Sequence, residues 1–309
     1  MIYNFTEQQT SRIAECWSET IYHKILRNIE RYTGKWSLSE FYFHEHYSFN
    51  AIFFCKSEKY GECVLKINSE EQNAEFAAEY NVLREYNGGK YVKVYEYDMH
   101  DSIMLIERVI PGNTLREEQS LEKRLEIFSG LFNGLHIEPK NFELYIKYTD
   151  WINDYVQSSK YEKSKYFKDF ERHIKKAKEI CLEVSSVYNK NMLLHIDIYR
   201  SNVLRGEDGK YKIIDPKGIV GDPVFDTAHY TFNECRDCEI LPEATELTIN
   251  YLEKSINIPN KILKQCLYIE TVRFICEATD GDKLNQWDID RANFAERMMN
   301  TGKYQEYRE

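Results

Sequence analysis

Residues 195–226 read HIDIYRSNVLRGEDGKYKIIDPKGIVGDPVFD. Asp197 and Asn202 have the spacing D-x-x-x-x-N, and Asp215 ends the apolar run Tyr211-Lys-Ile-Ile-Asp215 after a hairpin turn at Gly206-Glu-Asp-Gly209. A hard divalent cation such as Mg²⁺ takes oxygen ligands, and one carboxylate with one amide carbonyl suits it. A further carboxylate not needed by the metal can orient a hydroxyl and take its proton. An isolated D-x-x-x-x-N means little, and an Asp beside a turn commonly serves as a cap. The ordered combination carries the argument.

That inventory is the one used in phosphoryl transfer, where protein kinases carry H-R-D-x-x-x-x-N followed by D-F-G. His195-x-Asp197-x-x-x-x-Asn202, Ile214-Asp215-Pro216-Lys217-Gly218 and Gly221-Asp222-Pro223-x-x-Asp226 together resemble the aminoglycoside phosphotransferase family. The Asp-Pro-Lys-Gly form is nearest its streptomycin kinase, or aminoglycoside/hydroxyurea resistance kinase, branch. Two departures stand out. Ile196 occupies a position where Gly is usual, and Tyr199-Arg200-Ser201 replaces His-Pro-Gly.

The resemblance implies an α+β, two-lobed, protein-kinase-like fold with a β-rich small lobe and a larger, mainly helical lobe. It implies Asp197 as the catalytic carboxylate, Asn202 and Asp215 as Mg²⁺ ligands, and His195 and Asp226 as supports of the loop. Lys217 is placed to meet a phosphate or to be a surface charge. ATP or GTP is the expected co-substrate.

Working outward, the upstream chain supplies the pattern of a small lobe. Ile13, Trp17, Ile21, Ile25 and Ile29 recur at helical spacing. Short aromatic and β-branched runs follow at 41–43, 51–55 and 63–67, with Glu58-Lys-Tyr-Gly61 as a hairpin turn. Residues 70–86 lack Pro and Gly and predict a helix stopped by Asn87-Gly88-Gly89. Strands are expected over 90–97 and 102–109. By resemblance, Lys66 in Val64-Leu-Lys66-Ile67 holds the α- and β-phosphates, and Glu79 orients it, with Glu75 one turn earlier as the other candidate. Lys66→Ala is expected to leave the fold intact, provided Glu79 reaches water. Leu105-Ile-Glu107-Arg108-Val109 resembles the purine-binding hinge, where the Glu107 carbonyl and Val109 amide would do the recognition. The phosphate-covering loop falls near Tyr47-Ser-Phe-Asn50, which lacks Gly, so Ser48 and Asn50 are the expected donors there.

Beyond Pro111-Gly112 the chain turns helical. Apolar stripes run through Leu121, Leu125, Phe128, Phe132 and Leu135, and through Phe167, Phe170, Ile174, Ala177, Cys181 and Val184. The organisation read from these patterns is 1–106 for the N-terminal helices and nucleotide lobe, 107–112 for the hinge, and 113–309 for the catalytic and substrate lobe, packed around one cleft. Glu270, Arg273 and Glu277 share one helix face. With Glu234 and Asp280 they are the candidate contacts for a cationic substrate.

Composition bounds the partners. The net charge is −10, which argues against sequence-independent nucleic-acid binding and is compatible with a cationic small molecule. No apolar run is long enough to span a membrane, and no signal-peptide pattern opens the chain. A cytoplasmic protein is therefore expected, with its eight cysteines reduced. Cys235-x-x-Cys238 alone does not make a zinc site. The leading expectation is a kinase acting on an aminoglycoside hydroxyl. Its rivals are a metabolic kinase for choline, a sugar amine or an amino alcohol, and a non-catalytic nucleotide-binding regulator. Oligomeric state is not legible.

Overall fold

The structure is a computed structural model describing residues 3–45, 49–70, 73–156, 161–236, 242–279 and 283–300. Two compact units form. Described residues up to Asn113 join Leu204–Ile214 in the first, while Thr114–Val203 and the chain from Asp215 make the second. A cut at 113 would place 204–214 with the helical unit. Backbone pairing puts them in the first instead.

The first unit opens with α1 (Glu7–Cys16), started by a Thr6–Gln9 capping box. Ser18 caps α2 (Glu19–Trp36), whose Ile25, Ile29, Tyr32 and Trp36 bury one stripe. That stripe shares a core with Phe43, Phe53, Leu65 and Leu105 of the sheet. The strands are β1 (Leu38–His44), β2 (Asn50–Ser57) and β3 (Gly61–Asn68), then, after α3 (Ala74–Tyr86), β4 (Val94–Asp98) and β5 (Ile103–Glu107). Their order is β1-β2-β3-β5-β4, antiparallel throughout. Three strands, a helix and two strands match the sequence pattern.

The boundaries move for local reasons. Helix α3 begins at 74 rather than 70 because the Asn73 side chain accepts the Phe76 N–H at 2.8 Å. It ends where Asn87 turns left-handed, as its Asn-Gly-Gly sequence predicts. Residues 90–92 leave the expected strand because they pair elsewhere. The Ile213 N–H donates to the Lys90 carbonyl, and the Val92 N–H donates to that of Ile213. Beyond β5 the chain turns at Gly112, where φ is +78° and a Cβ would stand 2.7 Å from the Val109 carbonyl oxygen. It continues as β6 (Pro111–Thr114), against which a later hairpin pairs.

The second unit contains α4 (Leu121–Phe132), β7 (Ile146–Lys147), α5 (Tyr148–Tyr155), α6 (Phe167–Val187) and β8 (Met192–Leu194). The chain then forms β9 (Val203–Gly206) and β10 (Tyr211–Ile213) of the first unit's second sheet, ordered β10-β9-β6. It returns through β11 (Ile219–Gly221), which lies between β7 and β8. The helices α7 (Asp226–Arg236), α8 (Pro242–Ile256), α9 (Asn260–Ala278) and α10 (Gln286–Asn300) complete the unit. Helix α9 is buried on nearly every side from Leu263 to Cys276, as befits a central helix touched by α6, α7 and α10. Among the described residues no helix is long and apolar enough to cross a membrane.

Candidate active site

In the first unit, β3 carries Lys66, 3% exposed, toward α3. Its ammonium donates to both oxygens of Glu79 at 2.7 and 2.8 Å. Glu75 is exposed, so Glu79 supplies the carboxylate partner. Glu79 is itself only 7% exposed. The expectation that Lys66→Ala leaves the fold undisturbed therefore fails, because the variant buries a carboxylate that has lost its cation.

Asn50 opens β2, and its side-chain oxygen accepts from the Asn68 amide at 2.8 Å, tying the β2–β3 ends together. Ser48 and Tyr47 lie outside the described residues. Glu107 ends β5, with its carboxylate 2.6 Å from the Lys212 ammonium and accepting the Lys93 N–H at 3.0 Å. Val109 follows, half-buried, two residues before β6.

In the second unit Asp226, fully buried at the start of α7, organises the loop after β8. It accepts the His195 N–H at 2.9 Å, the Ile196 N–H at 2.6 Å and a bond from His136 Nε2 at 2.8 Å. Burial pushes this carboxyl upward, but the hydrogen bond and charge of His136 outweigh it and hold the group below the usual range. The two backbone bonds grip successive peptides leading into a left-handed turn, since Ile196 has φ +64°. Few β-branched residues adopt this conformation. It accounts for Gly being usual at this position in the resembling family.

His195 braces the same turn. Its Nδ1 accepts the Asp197 N–H at 3.1 Å, so the ring proton belongs on Nε2. Its carbonyl accepts the Lys217 N–H at 3.1 Å, linking the loop to the Asp215-Pro-Lys segment. Asn202, 5% exposed, donates its amide to the Asp197 carbonyl at 2.9 Å. That bond turns the Asn202 side-chain oxygen to the role of acceptor or ligand. Asp215 is also left-handed, at φ +60°. Burial raises the Tyr199 phenol, and the charges of Asp197 and Asp215 raise it further, so both carboxylates act on one locality. The donor set, an amide oxygen and a carboxylate beside a second carboxylate, fits a hard cation that keeps most of its coordination for phosphate oxygens and water.

Asp197 keeps 29% of its side chain exposed. Its Oδ1 lies 3.0 Å from His229 Nε2, while its Oδ2 lies 4.0 Å from the Lys217 ammonium. The other nitrogen of His229 is 2.7 Å from Glu270. Arg273 holds Glu270 through two hydrogen bonds, at 2.9 and 2.7 Å, and reaches Glu277 at 3.0 Å. Burial opposes the charge on His229, but the bonds to Asp197 and Glu270 outweigh it and push the imidazole up to about 9. For Asp197, burial raises the carboxyl and the His229 bond and charge more than reverse this, leaving it lowered. Glu270 is pulled down to about 2, burial being overcome first by Arg273 and then by His229.

The expected acidic cradle is thus largely neutralised from within. Glu270 is spent on His229 and Arg273, and Glu277 on Arg273. Glu234, 2% exposed, takes a bidentate grip from Arg124 at 2.8–3.1 Å. Glu234 and Glu270 are buried and hold helices together, whereas Glu277 pairs within α9 and stays exposed. Asp280 lies outside the described residues, as does Cys238, the partner of buried Cys235 in the lone CxxC.

His229, Arg124 and His136 escaped the sequence reading. His229 follows Asp226 by three residues, one turn along α7, and that spacing was the available signal. The partners of Arg124 and His136 sit 110 and 90 residues away, beyond any local pattern.

Comparison with known proteins follows the same lines. The profile of the family described as "Aminoglycoside/hydroxyurea antibiotic resistance kinase" matches residues 52–280. Streptomycin 6-kinase of Streptomyces griseus is 27% identical over 150 residues, covering 47% of each chain. The match thus spans about half the length of that relative. Among solved structures, a choline kinase from Streptococcus pneumoniae superposes with a TM-score of 0.58 at 17% identity, over 90% of this chain and 99% of that one. A choline/ethanolamine kinase family protein from Mesorhizobium loti gives 0.64 at 14%, over 92% and 95%. An aminoglycoside phosphotransferase in ternary complex with ADP and hygromycin B gives 0.58 at 14%, over 89% and 98%. The fold is the protein-kinase-like one.

Proposed function

This chain belongs to the aminoglycoside/hydroxyurea antibiotic resistance kinase family, and we propose that it transfers the γ-phosphoryl group of ATP or GTP to a hydroxyl of an aminoglycoside of the streptomycin type. The observation that carries this reading is the set of Asp197, Asn202 and Asp215 around the loop after β8. One Asp197 oxygen is fixed by His229, and the other is left beside Lys217.

The roles follow from chemistry. Lys66, held by Glu79, supplies positive charge for the nucleotide phosphates. Asn202 and Asp215 would hold Mg²⁺, which supplies charge neutralisation at the phosphate oxygens when bound. Asp197 accepts the hydrogen of the attacking hydroxyl, fixing its oxygen for in-line attack, and receives the proton as the new bond forms. His229 and Lys217 keep that carboxylate ionised. The transition state of phosphoryl transfer is loose, so orientation matters more than base strength. The Glu107 carbonyl and Val109 amide remain the proposed purine contacts, and Ser48 and Asn50 the proposed phosphate-loop contacts. A cytoplasmic location is part of the same reading.

A second reading, a choline- or ethanolamine-type kinase, is supported by the internal neutralisation of Glu234 and Glu270. An acceptor with one cationic group needs less bare negative charge than a polycation, and Trp151 and Tyr155 already stack on one cation, Arg273, at 5.1 and 5.8 Å. A non-catalytic nucleotide-binding regulator would have no need of the oriented Asp197.

The deciding measurement is nucleotide turnover with Mg²⁺ and ATP or GTP against streptomycin, hygromycin B, choline and ethanolamine. Streptomycin-dependent diphosphate release is expected. Turnover with choline or ethanolamine alone would transfer the assignment to the second reading. Mg·nucleotide binding without transfer to any alcohol or to water would leave a regulator.

A further inference from the structure

His229 is 12% exposed at its side chain and sits between two carboxylates, Asp197 at 3.0 Å and Glu270 at 2.7 Å. An ionised carboxylate only accepts hydrogen bonds, and a neutral imidazole has one N–H. A neutral ring would therefore face one carboxylate lone pair to lone pair. An imidazolium donates to both. Behind it, Glu270 is 2% exposed and Arg273 is 4% exposed at its side chain, so the chain of charges is buried and fixed on α9. Trp151 and Tyr155 of α5 cover the Arg273 guanidinium. The groups facing the imidazole are Asp197, Glu270 and the edge of Tyr199, at 5.7 Å between ring centroids. Lys217 acts on it through Asp197.

We propose that His229 is a positioning residue for the transfer reaction, a clamp that donates from both ring nitrogens, occupies Asp197 Oδ1 and so dedicates Oδ2 to the acceptor hydroxyl. The inference rests on the phosphotransferase reading above and deepens it. Without the clamp, the Asp197 carboxylate can rotate about its last torsion and present either oxygen in several directions. The Glu270–Arg273 pair keeps the ring oriented and charged, which is why Glu270 is buried on α9 and not offered to substrate. His229 neither donates nor removes a proton during transfer. Its two N–H bonds are the same before and after.

The test is single-turnover transfer from Mg·ATP to the best acceptor of the panel, or to water where no alcohol is taken. His229→Gln removes the charge and one of the two donors. It is expected to slow the chemical step about 10–100-fold, with Mg·ATP affinity changed less than about threefold. A chemical step within about threefold of the parent overturns the proposal. So does a parallel loss of nucleotide affinity, which would mark a general loss of structure. Asp197→Asn measured alongside separates the failures. If Asp197→Asn is also silent, the phosphotransferase reading falls. If only His229→Gln is silent, that reading stands and the clamp falls. Should His229→Gln not fold, ¹⁵N-histidine NMR of the unaltered protein decides. Protons on both His229 ring nitrogens at neutral pH are expected, and a proton on only one overturns the proposal.

Discussion

Ile196 shows how a single residue can carry opposing costs. Its left-handed φ of +64° is held by two bonds to Asp226, from its own N–H and from that of His195. A non-glycine residue in this region pays roughly 1–2 kcal/mol. Yet Ile196 is 4% exposed, so its side chain is part of the buried core. Emptying such a site costs about 2–5 kcal/mol, and glycine adds roughly 0.5–1 kcal/mol of backbone entropy. The packing loss is the larger quantity. Ile196→Gly, although it restores the residue usual in the family, should therefore lower stability by about 2–3 kcal/mol on balance. Urea unfolding checks the sign, and an increase in midpoint would mean that strain dominates at this turn. The position was legible from sequence as a departure from a pattern. Its geometry was not, because no propensity predicts left-handed isoleucine.

At the scale of elements, strand β3 and helix α3 are joined by the Lys66–Glu79 pair, both side chains more than nine-tenths buried. Removing one partner of a buried pair typically costs about 3–5 kcal/mol, since the other charge stays behind. Lys66→Ala should therefore lower both turnover and stability, and its activity loss alone cannot report on phosphate binding. Lys66→Met with Glu79→Leu separates the two effects. The double variant should recover most of the stability while transfer stays as low as in Lys66→Ala, as thermal unfolding and turnover would show. If it regained activity, Lys66 would have no role at the phosphates. Elements of this kind were well marked in the sequence. The aromatic and β-branched runs of β2 and β3 and the Asn-Gly-Gly stop are local signals that the structure follows within a few residues, whereas the Asn73 cap went unread and moved the start of α3 to Ala74. The expected strand at 90–97 shifted because Lys90 and Val92 bond to Ile213, a partner 121 to 123 positions away that no local window contains.

Across the whole molecule, what the sequence hid is the web of buried charges. The proposed roles of Asp197, Asn202 and Asp215 rest on residue types at a fixed spacing, which a sequence displays directly. His229, Glu270 and Arg273 form a unit only once α7 lies along α9, so Glu270 read from sequence looks like a free acid. The web makes stability depend on pH in a definite direction. His229 is held up to about 9 in the folded protein, against about 6.5 for an unperturbed histidine. A group whose folded value is raised stabilises fully below the unfolded value. That contribution fades as pH rises through the folded one. Its size at neutral pH and below is about 3 kcal/mol, from roughly 1.36 kcal/mol per pH unit of difference. The carboxylates Asp226 and Glu270 act in the opposite sense. Their folded values are lowered, so their contribution is present above about 4 and is lost in acid. Stability should therefore peak near neutrality and decline from about pH 6.5 to 9. In His229→Gln the alkaline decline should flatten while the acid limb remains. Urea midpoints measured from pH 4 to 9.5 would show both limbs, and an unchanged alkaline limb in the variant would mean that the imidazole is not the group being titrated.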